Sequence, residues 1–85
     1  MYYYIKGTLA FLAGDTAVID AGGIGYRLTV TQNTFAALAS KLGKEAQLFT
    51  YLAVRDDAME LYGFASEEEK LFFTTLLLSL IHISE

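Results

Sequence analysis

The chain has no cysteine, no proline and a single histidine in 85 residues. Without cysteine there is no disulfide scaffold, and the redox compartment leaves no trace in the sequence. The missing proline and a charged fraction of 19% exclude a collagen-like repeat and a disordered tract. The lone His82 has no Cys or second His to complete a zinc set within one chain. A Ser–His–Asp triad would also have to be built on His82, so neither a cofactor, a metal nor a catalytic role is expected. Basic residues are scarce as well. Six Lys/Arg stand against ten Asp/Glu, for a net charge of −4. No basic stripe is present, so this chain alone is expected to be a weak phosphate binder. Long apolar runs are missing too: Leu71 to Ile83 covers 13 residues and is broken by Thr74, Thr75, Ser79 and His82. Crossing a bilayer takes about 20. The start, Met1 to Lys6, lacks the charged and apolar regions of a signal peptide. A soluble, cytoplasmic chain with no membrane partner is the expectation.

What is abundant is apolar surface. Hydrophobic residues make up 54% of the chain, including six Tyr and six Phe, more than a small monomer needs. Val, Ile, Tyr, Phe and Thr dominate the first two-thirds in short runs, which favours strands. The runs are Tyr2 to Leu12, Thr16 to Ala21, Tyr26 to Thr31, Ala46 to Val54 and Ala58 to Phe64. Gly7 inside the first implies a bend or bulge. Between the third and fourth runs the period changes: Phe35, Leu38, Ala39 and Leu42 recur at helical spacing, with Thr31 or Asn33 as cap and Gly43 as stop. Ser66-Glu67-Glu68-Glu69 offers a capping box for a second helix from Glu67 onward. Three strands, a short helix and two strands is the element order of an OB-like Greek-key barrel, with SH3-like barrels and small α+β domains as competing readings. The fold class is therefore expected to be mainly β: five strands, a helix between strands three and four, and a C-terminal helix.

Two motifs stand out. Gly22-Gly23-Ile24-Gly25-Tyr26 is glycine-rich, but it is not Gly-x-Gly-x-x-Gly and a strand follows it. It reads as a tight hairpin needing positive φ, with Gly22, Gly23 and Gly25 in structural roles. Arg55-Asp56-Asp57 occupies a hairpin tip between apolar strands. One reading is turn chemistry, since Asp side chains bond nearby backbone. The other is an acidic projection that repels phosphate or coordinates a cation. Glu67, Glu68 and Glu69 read as a solvated helix start. Tyr2, Tyr3, Tyr4, Phe11, Tyr51, Tyr62 and Phe64 fall on both strand faces. Apolar outward faces point to a subunit interface; base stacking on exposed rings is the rival explanation.

The opening Tyr4-Ile5-Lys6-Gly7, the Gly22-Gly23-Ile24-Gly25-Tyr26 turn, Val54-Arg55-Asp56-Asp57-Ala58 and Leu61-Tyr62-Gly63-Phe64 resemble, in order and spacing, the N-terminal domain of the RuvA family. The resemblance covers about residues 1–76. It implies an OB-like barrel that forms much of a homotetramer. It also implies an acidic pin at Arg55, Asp56 and Asp57, near the centre of that tetramer. Family members commonly carry Glu then Asp; here both are Asp, one methylene shorter at the first acid. The resemblance further implies that the full protein binds four-way DNA junctions, mostly through helix-hairpin-helix motifs of a second domain. It would present them to a RuvB-like ATPase for branch migration in recombination and repair, with a RuvC-like resolvase as a further partner. The motor activity would belong to the ATPase, so this chain would be an accessory subunit in a bacterial cytoplasm. Two other functions compete: a free-standing OB module binding single-stranded nucleic acid, and an oligomerisation-only domain.

Three segments are expected. Residues 1–64 form the barrel, residues 65–76 start a helical second domain, and residues 77–85 depart from the family pattern because no glycine follows Leu76. That last stretch is expected not to be family sequence.

Overall fold

A computed structural model describes residues 3–83. The elements are β1 (Tyr4–Ala13), β2 (Thr16–Ala21), β3 (Ile24–Val30), α1 (Gln32–Leu38), β4 (Glu45–Val54), β5 (Met59–Phe64) and α2 (Glu67–Ile83). The strands close into a barrel in the order β1-β2-β3-β5-β4. All pairings are antiparallel except β3 with β5, which run parallel and meet only at Thr29–Tyr62 and Val30–Gly63. The architecture is the mainly β, OB-like barrel expected, with α1 inserted between the third and fourth strands.

Closure depends on β1, which serves two partners. Its first half pairs with β4 and its second half with β2, and Thr8 faces both Glu45 and Asp20. The register slips between Leu9 and Phe11, so the bulge falls at Ala10 and not at Gly7. Gly7 is required for another reason. A Cβ there would collide with the carbonyl oxygen of Asp20 and lie 3.0 Å from Cγ2 of Ile19. At this point the β1 and β2 backbones pass too close for any side chain.

Alternation along the strands fills the interior: Leu9, Ala17, Ile19, Leu28, Val30, Ala46 and Leu48 point inward, joined by Leu38 from α1. Thr31 caps α1, its hydroxyl accepting from the Thr34 amide at 3.1 Å. The helix is shorter than its apolar spacing implies. It ends at Leu38, and Leu42 is 57% exposed. The reason is tertiary: the Gly43 amide donates to the Leu9 carbonyl and the Leu9 amide to the Lys44 carbonyl. Sheet pairing with β1 captures the chain before another helical turn can form.

The glycine-rich stretch divides. Gly22 and Gly23 make the two-residue β2–β3 turn with φ of 64° and 87°, the left-handed geometry of a type I′ hairpin. Gly25 lies outside it, inside β3 and paired with Asp20. Beyond the barrel, α2 continues as helix through Ile83, while Ser84, Glu85 and the His82 side chain lie outside the described residues. Among the described residues no helix is long and apolar enough to cross a membrane.

Candidate functional site

The β4–β5 hairpin reaches past the mouth of the barrel. Thr50 and Gly63, paired and buried, mark where the inward face meets the core. Two residues further out on that face, Leu52 pairs with Leu61 and both are half-buried. The next rung, Val54 with Met59, is 67% and 71% exposed. An apolar ladder that starts in the core thus runs off into solvent. A groove of about 640 Å³ lies beneath it, bounded by Asp15, Thr16, Arg27 and Thr29 on its far side.

At the tip, the Arg55 amide donates to the Ala58 carbonyl at 2.8 Å and closes the turn. Asp56 and Asp57 are exposed. Neither has a hydrogen bond or ion pair among the described residues. Arg55 behaves differently. Its guanidinium folds back to 4.0 Å from the Glu60 carboxylate, so the single cation of the tip is turned toward the groove. Both Asp side chains are left unneutralised. No group of three or more His, Cys, Asp or Glu able to hold a metal occurs among the described residues. Gly22 and Gly23 belong to a different hairpin and line neither the tip nor the groove.

Glu60 was not singled out by its sequence context, yet it organises this region. It accepts from the Thr29 hydroxyl at 2.8 Å and from the Tyr62 hydroxyl at 3.0 Å. Those two hydrogen bonds, Thr29 first, hold its carboxyl below the ordinary value of 4.5, with smaller help from Arg55 and Arg27. Burial, and then the bond to Glu60, push the Tyr62 phenol upward.

A second missed carboxylate is Glu69. The Ser66 hydroxyl accepts from the Glu69 amide at 3.1 Å, as a capping box requires. The Glu69 side chain, however, leaves its own helix and receives the hydroxyls of Thr31 and Thr34. Burial works to raise its carboxyl, but bonds from Thr34, Thr31, Asn33 and the Ala65 amide outweigh that and lower it. Thr34 is fully buried and needs a partner at that depth, but its burial shows only in the folded chain.

Both carboxyls are depressed in the folded chain, so their stabilisation is present above the ordinary carboxylate range and is lost as pH falls through the lowered values. The thermal unfolding midpoint is expected to drop on acidification below 4.5. In a Glu60→Gln, Glu69→Gln double variant the drop should be smaller. Parallel profiles for the two proteins would contradict these assignments.

The aromatic surplus is partly absorbed. Phe64 is fully buried, and it and Tyr62 are covered by Phe73 of α2, with ring centroids 5.2 Å apart in each case. Tyr3, Tyr4 and Phe49 form an edge-to-face cluster at the outer surface, and Lys70 sits 4.5 Å over the Tyr3 ring. The Tyr2 expectation lies outside the described residues.

The family described as "RuvA N terminal domain" matches residues 1–63. A Chlorobium luteolum protein named "Holliday junction branch migration complex subunit RuvA" is 45% identical over 78 residues, 92% of this chain and 38% of that protein. Proteins of the same name from Streptomyces coelicolor and Bacteroides thetaiotaomicron are 46% and 43% identical over 76 and 77 residues. In each case the chain spans less than two-fifths of the relative's length.

Proposed function

The chain belongs to the RuvA N-terminal domain family, and from that premise we propose that it is the assembly barrel and acidic tip of a protein that binds four-way DNA junctions. In the whole protein, a homotetramer would hold the junction and present it to a RuvB-like ATPase for branch migration, with a RuvC-like resolvase acting on the same substrate. The barrel would be an accessory part without catalysis of its own, working in the bacterial cytoplasm. Residues 65–76 would begin the next domain, and residues 77–85 would lie outside the family pattern.

One observation carries the reading: Asp56 and Asp57 stand exposed and unpaired at the end of a hairpin whose own Arg55 is turned back onto Glu60. Clustered around a symmetry axis, such tips would repel phosphates and keep strands from stacking across the crossover. The Val54–Met59 rung supports self-association, because an exposed apolar ladder continuous with the core favours an interface. With −4 net charge, phosphate attraction would come from elsewhere in the longer protein.

Light scattering on the chain tests the assembly half of this reading. The expected particle is four times the 9.4 kDa protomer. A monomer at every concentration tried would overturn it.

A further inference from the structure

A carboxylate in the first turn of a helix ordinarily faces water, where it interacts with the helix dipole. Glu67 and Glu68 do so. Glu69 does not. Its Oε2 accepts from the Thr31 hydroxyl at 2.7 Å, and its Oε1 accepts from the Thr34 hydroxyl. The two threonines are themselves linked, since the Thr34 amide donates to Thr31 Oγ1 at 3.1 Å. Thr34 Oγ1 also accepts from the Ala65 amide at 3.0 Å, which ties down the residue just ahead of α2. One carboxylate and two hydroxyls thus join the start of α1, the β5–α2 connection and the first turn of α2.

The leverage of this joint is large. At 17 residues, α2 is about 25 Å long. Among the described residues, the side chains of its first two turns that meet the barrel are Glu69, Lys70 over Tyr3, and Phe73 against Tyr62 and Phe64. Leu71, Phe72 and Leu76 are exposed. A swing of about 10° at Glu69 would move the far end by about 4 Å. Ring contacts tolerate such sliding because their preference among stacked and tilted geometries is weak. Two charge-assisted hydrogen bonds to separate oxygens do not, because both distances must be kept at once.

We propose that Glu69 is a positioning residue: held by Thr31 and Thr34, its carboxylate sets the angle at which α2 leaves the barrel. This goes beyond the proposed function and stands without it. The role of Glu69 is orientation; the barrel is held by its own core.

The absence of cysteine makes the test clean. Spin labels at Gln47→Cys on β4 and Thr75→Cys on α2, both exposed, in chains diluted with unlabelled protein so that an assembly carries at most one labelled copy, report the helix angle as a distance distribution. The unaltered joint should give one narrow distribution. Glu69→Ala should broaden it, and amide exchange over residues 70–76 should quicken about 10- to 100-fold, the worth of a hydrogen bond to a charged group. Amides of β1 and β4, which feel only the loss of overall stability, should quicken less than those of residues 70–76. Glu69→Gln, which retains one carbonyl acceptor, should fall between the two. Glu68→Ala, in the same turn but facing water, should leave the distribution narrow. The proposal is overturned if Glu69→Ala keeps the narrow distribution, if β1 and β4 amides quicken equally, or if Glu68→Ala broadens it as much. Should Glu69→Ala fail to fold, Glu69→Gln decides alone: a distribution as narrow as the parent's rejects the joint.

Discussion

Gly7→Ala is expected to destabilise the barrel by about 3 kcal/mol, enough to leave a small domain largely unfolded on warming. The new methyl would meet the Asp20 carbonyl oxygen, a backbone atom with no rotamer to retreat into. Relief requires β1 and β2 to separate, and these strands pair from Thr8 to Ala13. Separation would also disturb β4, because residues 4–8 of β1 carry its ladder. Gly25→Ala is the matched control. Its Cβ would lie 3.4 Å from Cγ1 of Val18, an ordinary contact, and its φ is not in the left-handed region. Thermal unfolding of the two variants should therefore diverge sharply, with Gly25→Ala close to the parent. Equal midpoints would mean that β1 and β2 are not packed backbone to backbone at Gly7.

The second large effect is functional. In a full-length protein carrying this domain, Asp56→Asn with Asp57→Asn should tighten binding to four-way junctions by about tenfold. Each carboxylate–phosphate repulsion at about 10 Å in water amounts to roughly 0.4 kcal/mol. Two acids in each of four subunits would sum to about 3 kcal/mol before salt screening, which removes more than half at that distance. The change should shrink as salt is raised and be absent for linear duplex. Branch migration with the partner ATPase should change as well, since strands no longer held apart would stack across the crossover. Folding should be unaffected, because both side chains are exposed and unpartnered. Unchanged junction affinity and unchanged migration together would remove the electrostatic role of the tip.

The Glu69 joint and the acidic tip divide the chain's carboxylates by environment. Asp56 and Asp57 remain in water, where charge acts at a distance. Glu60 and Glu69 are gathered in by hydroxyls and act by position. Composition alone cannot separate these pairs. All four read as surface acids in the sequence, and Glu69 reads as the last residue of a capping box in a solvated helix start. Its partners Thr31 and Thr34 lie 38 and 35 positions away, beyond any window in which spacing carries information.

The sequence by itself determined the kinds of element, their order, the cap of α2 at Ser66, and the tip placed between two apolar runs; for α1 it left Thr31 and Asn33 open, and the structure chose Thr31. Each of these is local: a period of two or of 3.6, a hydroxyl three residues before an amide, a charged break between strands. Family membership was legible for the same reason, through short motifs kept in order. Tertiary structure alone decided where β1 changes partner, why Gly7 must lack a side chain, where α1 stops, and that Gly25 serves a strand and not a turn. It also decided which carboxylates are held and which are free. Those outcomes depend on which backbones meet when the barrel closes, and barrel closure joins residues that no local pattern relates.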